Sequence, residues 1–351
     1  MIPRAPPVTL QPVCTPAQSH DLSRKKDIGA LFVLLLVGTV SCGFSSFLTT
    51  WFPKLRIRPW YLFTVTHWGT GVLLSMAFVH LIPESFQALQ SPCMSEFWRS
   101  DFPPMPGAIV FGGFLFVTIL EMVFHPVRHA LEATPEQQSC YTLPEGDTHC
   151  PRVYGVASAP DIQIQQDRRA ERGEARLDDA ITFTPEQRHR KELMLVWMLE
   201  LGLVGHSVLV GLSLSTTEGG KFITSFVTGI LHQIFQGMAL GSRIALLPWP
   251  EKALQPWAMA LIFGVTVPIG QGIGISVHGI YDEQSEIAST FIGVTNGFSA
   301  GILIFTALVE LVSEDFISRK SWRLLRGRHR VYACCLLFFG GICQSILGAF
   351  I

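Results

Sequence analysis

"LHQIFQGMAL", residues 231–240, puts His232, Gln233 and Gln236 inside an apolar run, where a bilayer-crossing helix should carry only hydrocarbon. The whole run, 222–246, meets the roughly 20 residues that a helix needs to cross a bilayer. Comparable runs recur at 28–51, 62–82, 107–124, 192–215, 256–279, 288–312 and 331–351, which makes eight. Only 15% of the 351 residues are charged and 48% are hydrophobic, too few charges for a soluble protein of this length. The chain therefore reads as an all-α membrane protein with eight transmembrane helices. The first 27 residues are polar and proline-rich, and the run after them is too long for a signal-peptide core, so an uncleaved first span is expected.

Lysine and arginine set the orientation. The loops after spans one, three, five and seven, with Arg243 at the end of span five, hold 20 of the 26 basic residues. By the positive-inside rule those loops are cytoplasmic and both termini are extracellular. The expected organisation is an extracellular tail (1–27), spans one to three (28–128), a cytoplasmic, disordered loop (129–191) and spans four to eight (192–351). The loop is rich in Arg, Glu, Asp, Gln and Pro and has too little apolar surface to fold alone.

The eight cysteines outline no disulfide framework. Cys42, Cys334, Cys335 and Cys343 fall in spans, leaving Cys14 and Cys93 as the one pair expected outside. In the loop, "SCYTLPEGDTHC" gathers Cys140, His149 and Cys150, which can bind zinc. Their spacing matches no compact zinc module, so a plain linker is the preferred reading. Net charge is near zero and the basic residues follow topology, which gives no case for nucleic acid.

Glycines repeat every four residues at Gly237 and Gly241, Gly270 and Gly274, and Gly293, Gly297 and Gly301, bringing each set to one helix face for close packing. Ionisable groups in a bilayer core are costly and by default functional. "FVHLIPES" sets His80 and Glu84 four residues apart on one face, with Pro83 freeing the carbonyl of Val79. "LELGLVGHSVLVGLSLS" carries Glu200, His206 and Ser207, and the opening stretch adds His232, Gln233 and Gln236. Gln271 follows Pro268 in span six, and Glu310 lies near the cytoplasmic end of span seven. With the topology above, Glu84 lies near the outer surface, the three histidines deeper and Glu200 in the cytoplasmic half. Interhelical hydrogen-bond glue is the alternative for any single His or Gln. Three imidazoles with two carboxylates instead suit a borderline-soft dication, zinc first, then iron(II) or manganese. For His67 and His278, closer to span ends, the structural reading is preferred.

At these residues the chain resembles the ZIP family of zinc and iron transporters, its fungal zinc-regulated branch in particular. The matching stretches are "FVHLIPES", "LELGLVGHSVLVGLSLS", "LHQIFQGMALGSRIA", "VPIGQGIG" and "SAGILIFTALVELVSEDF". The resemblance implies a three-two-three arrangement of eight helices, a metal site between spans four and five, and movement of the ion into the cytoplasm by an elevator-like motion. It implies His206 and His232 as ligands with Ser207 and Gln233 beside them, His80 contributing from span two, and Glu84 guarding the entrance. Zn2+ would be the transported substrate, with Fe2+, Mn2+ or Cd2+ as competitors and no prosthetic group. The expected partners are the metal ion and the lipid bilayer, a homodimer is compatible, and the expected location is the plasma membrane.

Two departures matter. The family pattern has Glu where this chain has Gln236, and a bacterial relative has a fourth-span Glu where this chain has Val210. A carboxylate-bridged two-metal site is therefore not expected. A membrane-embedded zinc hydrolase is the competing class, but no His-Glu-any-any-His motif supports it. A loop metal sensor built on Cys140, His149 and Cys150 is the other.

Overall fold

The computed structural model describes residues 24–51, 59–124, 141–142, 148–149, 185–217, 219–250, 253–277, 285–318, 321, 325 and 327–349. The chain divides into two units, Met1–Leu120 with Leu193–Ile351, and Glu121–Glu192. In the smaller unit, strand β1 (Tyr141–Thr142) pairs antiparallel with β2 (Thr148–His149), Tyr141 opposite His149. The loop site expected at Cys140, His149 and Cys150 lies outside the described residues apart from the backbone of His149. His278 also lies outside them.

The helices are α1 (Arg24–Trp51), α2 (Pro59–Ser75), α3 (Ile82–Leu89), α4 (Met105–Phe124), α5 (Pro185–Thr216), α6 (Gly219–Leu246), α7 (Gln255–Val277), α8 (Glu286–Ile304) and α9 (Arg328–Gly348). A π-helical segment, Met76–Leu81, joins α2 to α3, and a second, Phe305–Ile317, continues α8. The first sits just ahead of Pro83, which lies in the first turn of α3. Proline has no N–H to donate there, and the wider turn carries the helix past it. At α8 the Ser285 hydroxyl caps the helix by accepting from the Ala288 N–H at 3.2 Å, with Glu286 in the first turn favouring the dipole.

Among the described residues, seven helical stretches are long and apolar enough to cross a membrane: Lys26–Thr49, Trp60–Leu89, Met105–Val123, His189–Thr216, Gln255–Ser276, Glu286–Ile317 and Arg328–Gly348. The expected eighth, α6, has 28 residues but is not among them, because His232, Gln233 and Gln236 dilute its apolar character. Large side chains such as Phe32, Leu36, Phe111, Ile119, Phe338 and Ile342 point outward, as a lipid-facing surface requires.

Helix α1 packs on α6 and α7, α9 on α2, and α8 on α3 and Met76–Leu81, while α2 also meets α6. Glycine sets the closest crossings. A Cβ on Gly211 of α5 would strike the Val267 carbonyl of α7, and one on Gly270 of α7 would strike the Val208 carbonyl in return. Gly71 and Gly340 stand in the same reciprocal relation between α2 and α9, as do Gly113 and Gly301 between α4 and α8. Gly237 and Gly241 of α6 press on Ser41 and Cys42 of α1, so the four-residue glycine repeat is a packing face. These crossings link α1, α5, α6 and α7 into one group and α2–α3, α4, α8 and α9 into another, and Gly69 of α2 against Ala239 of α6 and Gly205 of α5 against Ser299 of α8 press the two together. Gly211→Ala is expected to lower unfolding stability in detergent by about 1–3 kcal/mol through overpacking. Gly112→Ala, at an exposed glycine with open space around it, should be neutral or slightly stabilising.

Among the described cysteines, Cys42, Cys334, Cys335 and Cys343 are free thiols and Cys93 is disulfide-bonded. Cys14, the partner the sequence suggests for it, lies outside the described residues.

Candidate metal centre

Three helical elements converge on one point. The π-helical segment presents His80, α5 presents His206 and α6 presents His232, all at 4% exposure or less. One ligand nitrogen from each lies within 4.8 Å of the other two. Ring centroids are 4.9 Å apart for His80 and His206, 5.4 Å for His80 and His232, and 5.5 Å for His206 and His232. All three Nε2 atoms are buried with no hydrogen-bond partner. Buried polar nitrogens are nearly always satisfied, so three orphans at one point mark a place shaped for something that bonds to nitrogen.

Carboxylate and amide groups surround the rings. Glu84 Oε1 lies 3.4 Å from His80 Nε2 and Oε2 3.8 Å from His206 Nδ1, which realises the four-residue spacing read from the sequence. Asn296 Nδ2 donates to Glu84 Oε2 at 2.8 Å, and Asn296 Oδ1 lies 3.2 Å from His206 Nδ1. At His232, Gln344 Nε2 lies 3.2 Å from Nδ1 and 3.3 Å from Met76 Sδ. Gln236, one turn along α6, sends its Nε2 to the same sulfur at 3.5 Å. Glu84, His206 and Asn296 also line a cavity of about 810 Å³ that extends past Ser213 and Thr224 to Thr217 and Lys221 at the α5–α6 connection.

The remaining sequence candidates separate. Gln233 is buried, but a Cβ on Gly38 of α1 would lie 3.2 Å from its Nε2, so its amide faces α1. Ser207 is buried beside His206 in the chain. Gln271 donates to the Asp27 carbonyl at 2.9 Å, tying α7 to the start of α1. Glu200 is 2% exposed, and neither carboxylate oxygen has a hydrogen-bond partner. Glu310 lies half-buried in Phe305–Ile317. His67 is satisfied structurally, its Nδ1 donating to the Phe63 carbonyl at 2.7 Å and its ring set edge-on to Phe316. Asn296, Gln344 and Met76 were not among the sequence candidates. The signal for Asn296 was available, since it is the only asparagine in the chain and falls in an apolar run.

A family model described as "ZIP Zinc transporter" matches residues 25–347. The chain belongs to the ZIP family. It is accordingly a multi-pass membrane transporter and not an enzyme, with zinc as the substrate at the level of the family. Among curated proteins it is similar to Zinc transporter 9 of Oryza sativa, 30% identical over 355 residues, covering 95% of this chain and 92% of that protein. Zinc-regulated transporter 1 of Schizosaccharomyces pombe is 28% identical over 316 residues, covering 83% of this chain and 76% of that protein. Zinc-regulated transporter 2 of Saccharomyces cerevisiae is 25% identical over 393 residues, covering 91% and 92%. The relatives thus include fungal zinc-regulated transporters, to which the sequence motifs point, and plant zinc transporters.

Proposed function

We propose that this ZIP protein carries zinc across the plasma membrane into the cytoplasm, through a site formed by His206 on α5, His232 on α6 and His80 on the π-helical segment. The observation that carries this reading is the set of three orphaned Nε2 atoms. Three imidazole nitrogens suit zinc, and a tetrahedral ion bound at about 2.0–2.1 Å holds its ligand atoms roughly 3.3 Å apart. The nitrogens stand up to 4.8 Å apart, so they close by up to about 1.5 Å around the ion.

On this reading α6 also crosses the membrane, as span five of eight, both termini are extracellular and the spans form a three-two-three arrangement. The long segment 129–191 is then a cytoplasmic linker between spans three and four. The cavity reaching Thr217 and Lys221 then opens to the outside, with Glu84 at its inner end as the guard of the site. The site straddles the two helix groups: His206 and His232 belong to one, and His80, Glu84 and Asn296 to the other. Sliding one group along the other separates the ligands and releases the ion, which supports an elevator-like motion. Glu200 and Glu310 lie along the route inward.

Uptake of radioactive zinc by cells producing the chain tests the reading, with iron(II), manganese and cadmium as competitors. Zinc uptake that outlasts an excess of the other metals supports it, and absence of zinc uptake overturns it. Gln236 is expected to weaken binding, because an amide offers a dication a neutral oxygen where a carboxylate would offset its desolvation. Gln236→Glu should lower the zinc KM several-fold, and an unchanged or raised KM would count against this role.

A further inference from the structure

We propose that Asn296 is a positioning residue that fixes which nitrogen of His206 is free for the ion, and that Glu84 sets its orientation. The inference rests on His206 being a ligand. An asparagine amide can be placed either way round, and its neighbours decide which. Here one neighbour is Glu84, which when ionised has only acceptors to offer, and Asn296 Nδ2 lies 2.8 Å from its Oε2. Turned over, the amide would set oxygen against oxygen at that distance. The carbonyl oxygen must therefore face His206, and it does so 3.2 Å from Nδ1.

An amide oxygen only accepts, so His206 carries its proton on Nδ1 and holds the Nε2 lone pair bare. That Nε2 atom is buried without a hydrogen-bond partner, on a ring of the three-histidine cluster. A bare Nε2 accepts a dication without first moving a proton. A carboxylate thus reads through one amide onto a ligand nitrogen, with both supporting residues on the helix group opposite His206. His232 differs. The second neighbour of Gln344 is only the thioether of Met76, a weak acceptor, so that amide turns over at little cost and enforces no tautomer.

Co2+ binding to the purified full chain in detergent, followed by visible absorption, reads the effect without transport. Asn296→Leu should raise the Co2+ Kd about 10–100-fold, the range for loss of a group supporting a ligand histidine. In cells it should raise the zinc KM while Vmax stays within about twofold. In Glu84→Gln the amide is no longer forced, and adding Asn296→Leu there should cost less than it does in the wild type. A Co2+ Kd unchanged in Asn296→Leu, or additive penalties in the double variant, would overturn the proposal. His206→Ala separates the two levels, since Co2+ binding that survives it unchanged refutes His206 as a ligand, whereas its loss leaves only the role of Asn296 in question.

Discussion

Zinc uptake is expected to fall to background when His232 is replaced by alanine, with the variant still present in the membrane at wild-type amounts. His232 supplies one of only three imidazoles at the cluster, and its Nε2 has no other bond to make. Losing a group that merely supports a ligand histidine costs about 10–100-fold in metal affinity, and losing the ligand itself should cost more. The groups left nearby do not substitute for it. Gln236 and Gln344 both point an amide N–H at Met76, and a thioether is a weak ligand for zinc beside imidazole. An ion stripped of water in a buried site needs its protein ligands to offset the loss of hydration. Uptake that persists in His232→Ala at unchanged KM and equal membrane abundance would remove His232 from the site. His80→Ala and His206→Ala should behave alike, since each ring stands within 5.5 Å of the other two.

The histidines were legible because ionisable groups are rare in apolar runs, and the pairing of His80 with Glu84 because four residues make one helical turn. The helical composition and membrane character were legible from run length alone. Helix α6 shows the limit of that signal, because the residues that make it a candidate for function are those that lower its hydropathy. The supporting groups were hidden for a different reason. Asn296 meets His206 across 90 residues and Gln344 meets His232 across 112, and one sequence read alone contains no trace of such pairings. An amide or thioether in a span is also ordinary packing material, so nothing local distinguished Gln344 and Met76 from Gln271 or Gln233. Those last two are polar and intramembrane as expected, yet they serve helix α1.

Arg243→Met is expected to cost about 3–5 kcal/mol of unfolding stability in detergent, the penalty for stripping one partner from a buried ion pair. Arg243, counted by sequence with the basic residues of the cytoplasmic side, is 7% exposed on the last turn of α6. Its guanidinium grips Asp315 with both arms, Nη1 donating to Oδ1 at 3.2 Å and Nη2 to Oδ2 at 2.5 Å, and Nη2 also reaches the Thr70 hydroxyl at 2.6 Å. One side chain thereby ties α6 to α2 and to the π-helical continuation of α8. Two parallel bonds add geometric specificity to charge, which a lysine could not reproduce. Removing the arginine leaves the largely buried Asp315 side chain, 13% exposed, with only the Thr70 hydroxyl, itself shared with the Thr66 carbonyl. The penalty comes from the stranded charge and not from the value of the pair, since apolar replacements of both partners are often neutral. Arg243→Met combined with Asp315→Leu should therefore recover most of the loss. A single variant within about 1 kcal/mol of wild type, or a double variant as unstable as the sum of the two singles, would show that the pair does not hold these helices together.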